Sequence, residues 1–229
     1  MSVAAEITVL SGGAMRRLLV DAIPLFERAS GTKVAIRFAQ TRVLKKEIEE
    51  GAAFDIVLLP RWAVDQLVQT GRIAGTQIDV VRSIVGLMVR AGMPKPAIDT
   101  VNAFKNVLRQ AKSISYSKGP SGKYVAELLE RLGLAAEMKD KTVFAVGRPV
   151  GEVIANGEAE VGMQQIIEIT PVRGAELVGP LPSELENFVL YAAGFAPAIA
   201  HNAAARAFVA FLKSPEAVRI IRAKGMEPA

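Results

Sequence analysis

Ile7-Thr8-Val9-Leu10-Ser11-Gly12-Gly13 opens the stretch that decides the fold. The first four residues read as a strand, and Ser11-Gly12-Gly13 as the turn that ends it. Leu18, Leu19, Ala22, Ile23 and Phe26 then recur at helical spacing, with Arg16, Arg17, Asp21 and Glu27 mostly on the opposite face. Gly31 ends this helix, and residues 33–38 alternate as a second strand. Strand, helix and strand in about thirty residues make a βαβ unit, so its two strands are expected to run parallel.

The same alternation extends outward along the chain. A helix is expected over residues 42–50, with Thr41 as its N-cap and Gly51 closing it. Residues 55–59 are almost wholly apolar, as a strand covered by helices on both faces should be. Residues 62–69 form another helix, ended by Gly71. Residues 80–90 give a longer strand-like run, long enough to leave one lobe and enter another. A second βα series follows, with a helix at 101–110, a strand at 113–116 and the loop Ser117-Lys118-Gly119-Pro120-Ser121-Gly122 before a helix at 123–132. Further strands are expected at 142–146 and 160–164, around a short helix at 149–155 with Pro149 at its first position. Residues 187–192 are read as a second crossover, and residues 203–212 and 215–224 as closing helices.

Composition narrows the function classes. The chain has 229 residues, enough for two cores, and at 51% apolar and 22% charged it is an ordinary globular protein. The net charge of +5 suits an anionic ligand, nucleic acid or a membrane surface. The basic residues are interspersed with acidic ones, and no basic segment is rich in aromatics, so no nucleic-acid partner is expected. The absence of cysteine excludes disulfides and thiolate chemistry. His201 is the single histidine, which excludes a multi-histidine metal site and disfavours a Ser-His-Asp triad. Neither metal nor cofactor is expected. No apolar run approaches a membrane span, so direct membrane insertion is not expected either. Val3-Ala4-Ala5 resembles the small-residue tail of a signal cleavage site. The expected location is periplasmic if an export signal was removed and cytoplasmic otherwise.

Several segments carry a family resemblance. They are the opening strand, small-residue loop and helix; Gly31-Thr32-Lys33-Val34 with Phe38; and Leu44 through Gly51-Ala52-Ala53-Phe54-Asp55-Ile56. Gly119-Pro120-Ser121-Gly122-Lys123-Tyr124, the run from Ala207 to Ala217 and Gly225-Met226-Glu227-Pro228 complete the set. In this order, over nearly the whole chain, they resemble bacterial extracellular solute-binding proteins of the molybdate-binding type. The resemblance implies an α/β fold of two Rossmann-like lobes, residues 1–82 plus 193–229 and residues 83–192. It also implies two crossover segments and a ligand cleft between the lobes. In that family a serine of the first loop and a serine pair before the second helix help to hold the oxyanion. Here the first position reads Ala14, the pair reads Gln40-Thr41 with Arg42 following, and the family's later tyrosine position reads Gln165.

The physical reading of the site is independent of that resemblance. In open α/β sheets, ligands bind at the carboxyl ends of strands, where helix N-termini present unpaired N–H groups to anions. Four loops qualify: residues 11–15, 40–42, 117–123 and 147–150. Their candidate ligand residues are Ser11, Gly12, Thr41, Arg42, Ser121, Lys123 and Arg148, joined by Arg61 after the apolar strand and by Gln165 at the end of another. A cation in the first turn of a helix opposes the helix dipole, so Arg42, Lys123 and Arg148 call for a reason. Charge-assisted bonds to a bound carboxylate or phosphate would supply one, and solvent exposure or pairing with a nearby carboxylate is the alternative. Thr41 and Ser121 also read as local caps, and Gln164 and Gln165 as cleft contacts or satisfied core amides.

Two functions from different classes follow. The first is a binding protein that captures a small anion, an organic carboxylate or other oxyanion, by hinge closure, with a membrane transporter permease as its partner. The second is an intracellular isomerase acting on a polycarboxylate with the same fold, in which arginines clamp carboxylates and Lys123 is the first candidate to move a proton.

Overall fold

Strands β1 (Glu6–Gly12) and β2 (Lys33–Ala39) pair in parallel along their whole length, from Glu6 opposite Lys33 to Gly12 opposite Ala39. Between them a 3-10 turn at Gly13–Met15 leads into helix α1 (Arg16–Ser30). Gly31 stops α1 at φ 70°, a left-handed conformation that costs glycine nothing, and donates its N–H to the Glu27 carbonyl. Helix α2 (Thr41–Glu49) returns the chain to β3 (Ile56–Pro60), which pairs in parallel with β1. All five β3 residues are buried. On one face Val57 and Leu59 pack with Leu44, Ile48 and Val64, the last from helix α3 (Arg61–Gln69). Asp55 fixes the entry to β3 by accepting a hydrogen bond from the Thr8 N–H (2.6 Å). The structure is a computed structural model that describes residues 5–185, 188–199 and 202–229, the side chain of Pro120 excepted. Val3, Ala4, Asn187 and His201 of the sequence reading lie outside the described residues.

Strand β4 (Ile78–Arg90) then carries the chain from one compact unit into another. Unit 1 comprises Met1–Arg82 and Val189–Ala229, and unit 2 comprises Ser83–Phe188. Unit 2 contains α4 (Val101–Gln110), β5 (Ile114–Ser117), α5 (Pro120–Arg131), α6 (Ala135–Met138) and β6 (Thr142–Ala145). It continues with α7 (Val150–Ala155), β7 (Val161–Gln165), α8 (Ile166–Ile169) and β8 (Ala175–Pro180). Its strands are ordered β4-β7-β5-β6, with β8 also on β4. β5 is parallel to both neighbours, whereas β4 is antiparallel to β7. Leu87, Ile114 and Met163 meet Phe104, Leu108 and Leu128 on one face, and Met88 and Ala145 meet Val150, Val153 and Ile154 on the other.

The chain re-enters unit 1 with β9 (Phe188–Phe195), antiparallel to β3 from Tyr191 to Phe195. Helices α9 (Ala203–Phe211) and α10 (Pro215–Ala223) follow, and β10 (Met226–Pro228) pairs with β4. Phe208 of α9 meets Phe26 of α1 edge-on with ring centroids 5.1 Å apart, closing the second face of the unit 1 sheet.

The α/β class follows the expectation, and three local readings are corrected. Gln40, not Thr41, is the N-cap of α2: Gln40 is extended (φ −64°, ψ 140°) and Thr41 is already helical. Helix α5 begins at Pro120, not Lys123, because proline's fixed φ suits a first helical turn. Pro149 is the N-cap of α7 and lies one residue before its first turn. Strand β8, absent from the sequence reading, is half-buried, and its pairing with β4 shifts register between Leu87 and Met88. Its alternation is correspondingly weak.

Ser214 caps α10 by accepting from the Ala217 N–H (3.3 Å), and Glu216 sits in that first turn. Ser214→Ala should cost about 1 kcal/mol. Thermal unfolding should register this as a fall of about 2–4 °C in melting temperature.

Candidate functional site

Each parallel strand in these sheets leads, directly or through a short turn, into the helix that follows it. The starts of α1, α2 and α3 therefore cluster at the carboxyl edge of the unit 1 sheet, and that of α5 at the same edge in unit 2. Every helix leaves its first N–H groups without intrahelical partners. At α2, α3 and α5 no side chain caps these groups and no acidic residue lies in the first turn. The 3-10 turn that feeds α1 is likewise uncapped. By contrast, Thr100, Asn202 and Ser214 cap α4, α9 and α10, which follow an antiparallel strand or another helix. Uncapped starts at one sheet edge leave donors and positive potential for an anion.

In unit 1 the candidate residues separate into those that are free and those that are committed. Ser11 is fully buried, and its single hydroxyl hydrogen is shared between the Gly12 and Leu58 carbonyls, each at 3.3 Å. It therefore ties β1 to β3 and shapes the turn. Gly12 and Thr41 come together, since a Cβ added at Gly12 would lie 3.5 Å from Thr41 Oγ1. Arg42, second in α2, is exposed and makes no ion pair among the described residues. Arg61 is held differently: Nε donates to Asp65 (2.9 Å) and Nη1 to Asp79 (2.6 Å). Gln77 supports the arrangement by donating to the same Asp65 oxygen (2.6 Å). The sequence reading missed Arg16, whose guanidinium lies 4.3 Å from the centre of the Phe38 ring at the end of β2.

In unit 2 the first turn of α5 contains Ser121, Gly122 and Lys123. Ser121 is buried, and the side chain of Lys123 is 80% exposed, with its ammonium 3.8 Å from Glu127. Gly122 is required by close approach, because a Cβ there would overlap the Ser117 carbonyl. Ser117 in turn accepts from the Gly119 N–H (3.2 Å), which folds the loop against the helix start. Arg148 forms a two-pronged ion pair with Glu158, Nη1 to Oε1 at 2.7 Å and Nη2 to Oε2. That pairing, in turn, holds the Glu158 carboxyl below its ordinary range.

The two adjacent glutamines have different tasks. Gln164 accepts from the Val150 N–H (3.0 Å) and so caps α7 from a neighbouring strand. Gln165 is only 5% exposed, and its Oε1 has no partner among the described residues. A buried orphan oxygen at a strand end is costly unless something else meets it. Glu168 also was not anticipated: burial pushes its carboxyl above the ordinary range, against a hydrogen bond with Gln164. Among the described residues no group of three histidine, aspartate or glutamate side chains is placed to hold a metal ion. None of their helices is long and apolar enough to cross a membrane.

The raised Glu168 carboxyl keeps its proton to higher pH when folded than when unfolded. Its contribution to stability should therefore decline as pH rises from its ordinary value of 4.5 through the folded value. Glu168→Gln should flatten that decline, which melting temperatures measured across the acid range would read.

The chain also resembles known proteins. Residues 7–227 match the bacterial extracellular solute-binding protein family. The chain is 33% identical over 229 residues to an aconitate isomerase from a Pseudomonas species, covering 97% of this chain and 87% of the relative. It is 25% identical to the molybdate-binding protein ModA of Azotobacter vinelandii, covering 97% of this chain and 90% of that one. Among solved structures, a substrate-binding domain attributed to a molybdenum ABC transporter of Clostridium difficile superposes with a TM-score of 0.85 at 20% identity. That match covers 99% of this chain and 100% of that domain. Uncapped helix starts at the strand ends, a family match spanning the chain and a shared fold lead to one conclusion: the protein belongs to the bacterial extracellular solute-binding proteins.

Proposed function

We propose that the protein binds a small organic carboxylate and delivers it to a membrane permease of the ATP-binding-cassette kind, in the periplasm after loss of an export signal. The observation that carries this reading is Arg42, an exposed arginine with no ion pair among the described residues, in the first turn of the uncapped helix α2. A planar guanidinium matches a carboxylate with two parallel hydrogen bonds, and the free N–H groups beside it add donors. Of the positions where the family places oxyanion-binding hydroxyls, which read Ala14, Gln40-Thr41 and Gln165, only Thr41 keeps one, which favours a carboxylate over molybdate.

Calorimetric titration of the protein with di- and tricarboxylates, molybdate and sulfate should give a saturable response to a carboxylate. No response to any carboxylate from folded protein would overturn the reading. Arg42→Ala should weaken that response by about ten- to a hundredfold, the worth of a charge-assisted hydrogen bond. Arg148→Ala should change it by less than about twofold, because Glu158 already occupies that guanidinium.

A second reading, catalysis of isomerisation, is favoured by the 33% identical aconitate isomerase. Shifting a double bond in an unsaturated polycarboxylate removes a proton from one carbon and returns one to another. The step is redox-neutral and needs a proton carrier but no cofactor. Lys123, exposed in the first turn of α5, is the candidate carrier. Under this reading purified protein should interconvert aconitate isomers, followed by proton NMR, and Lys123→Ala should lower turnover at least about a hundredfold. Saturable binding of aconitate without any product would leave the first reading alone.

A further inference from the structure

Unit 2 has a cavity of about 470 Å3 at the edge of its sheet opposite the start of α5. Its lining residues precede β5 and β7 and include the end of β4, whereas α5 follows the other end of β5. The volume falls within the range of about 300–1,000 Å3 typical of small-molecule sites. The floor is apolar, built by Val89, Val107, Ala111 and Val161. Two cations also line it, Arg90 and Lys112, both exposed.

Neither cation has a carboxylate partner among the described residues, whereas Arg61, Arg109 and Arg148 all do. Arg90 Nη2 reaches only the thioether of Met93, at 3.9 Å. Gly157 leaves room for the same guanidinium, since a Cβ there would lie 3.2 Å from Arg90 Nη1. The Lys112 backbone N–H donates to Glu160 Oε2 (2.7 Å), which fixes the rim while leaving the ammonium free. Helix α4 ends at this cavity, and a helix C-terminus attracts cations. Lys141 already serves that end through a 2.7 Å bond to the Arg109 carbonyl, so Arg90 and Lys112 are not needed for it.

We propose that this cavity is a second binding site, for an amphipathic organic anion. The carboxylate or sulfonate head meets Arg90 and Lys112, and an apolar body covers Val89, Val107, Ala111 and Val161. With the Glu160 carboxylate counted, the rim keeps a net charge of one positive unit, which selects a monoanion over a dianion.

The test is titration of the isotopically labelled full chain with octanoate, followed by amide resonances. Residues 89–93, 107–113 and 157–161 should shift saturably. The double variant Arg90→Ala/Lys112→Ala should bind octanoate about tenfold more weakly, the loss expected for a charged head without its partners. It should keep the melting temperature and the carboxylate response of the unaltered protein, which separates this site from the one at the strand carboxyl ends. Three results would overturn the proposal: 1-octanol binding as tightly as octanoate, inorganic phosphate moving the same resonances equally, or the double variant binding octanoate unchanged.

Discussion

An α-helix cannot satisfy its own first N–H groups, and the arrangement of this protein follows from how each helix answers that constraint. Thr100, Asn202 and Ser214 close α4, α9 and α10 with a local side chain, whereas the short helices α6 and α8 begin without one. Helix α7 is closed from a distance by Gln164, on the strand that follows it. At α2 and α5 the donors are left open at a sheet edge where parallel strands end. Selective capping leaves anion-binding potential at the starts of α2 and α5.

Charge is distributed by the same selectivity. Arg61 and Arg148 stand at the candidate edge in sequence, yet both are neutralised by carboxylates of their own unit. Arg61 bridges the start of α3 to Asp79 at the start of β4, so its structural value is local rigidity. Arg42 and Lys123 remain more available, the first without a carboxylate among the described residues and the second with a distant, exposed one. Surface ion pairs contribute little to stability, but they decide which cations a ligand can still engage.

Much of the fold was legible in sequence because it depends on local chemistry. The spacing of Leu18, Leu19, Ala22, Ile23 and Phe26, the stop at Gly31 and the unbroken apolar run of β3 each act over one turn or one strand. The site was less legible because its partners lie far apart along the chain. Ser11 is committed to Leu58, Arg61 to Asp79 and Val150 to Gln164, and no periodicity announces any of these pairs. Thr41 looked like a cap because its residue type suits one, but capping is settled by the backbone angles of Gln40. Strand β8 escaped notice because its half-buried residues lack the alternation that a one-sided strand shows.

Unit 2 is one uninterrupted segment, whereas unit 1 is assembled from both ends of the chain. During synthesis from the N-terminus, everything unit 2 needs has emerged by Phe188, when β9 is only beginning and α9, α10 and β10 do not yet exist. The first eighty or so residues must wait, with β3 lacking its β9 neighbour and α1 lacking Phe208 and Phe211. The order of folding is thereby written into the connectivity: the inserted unit can mature while the chain grows, and the flanking one only at its completion.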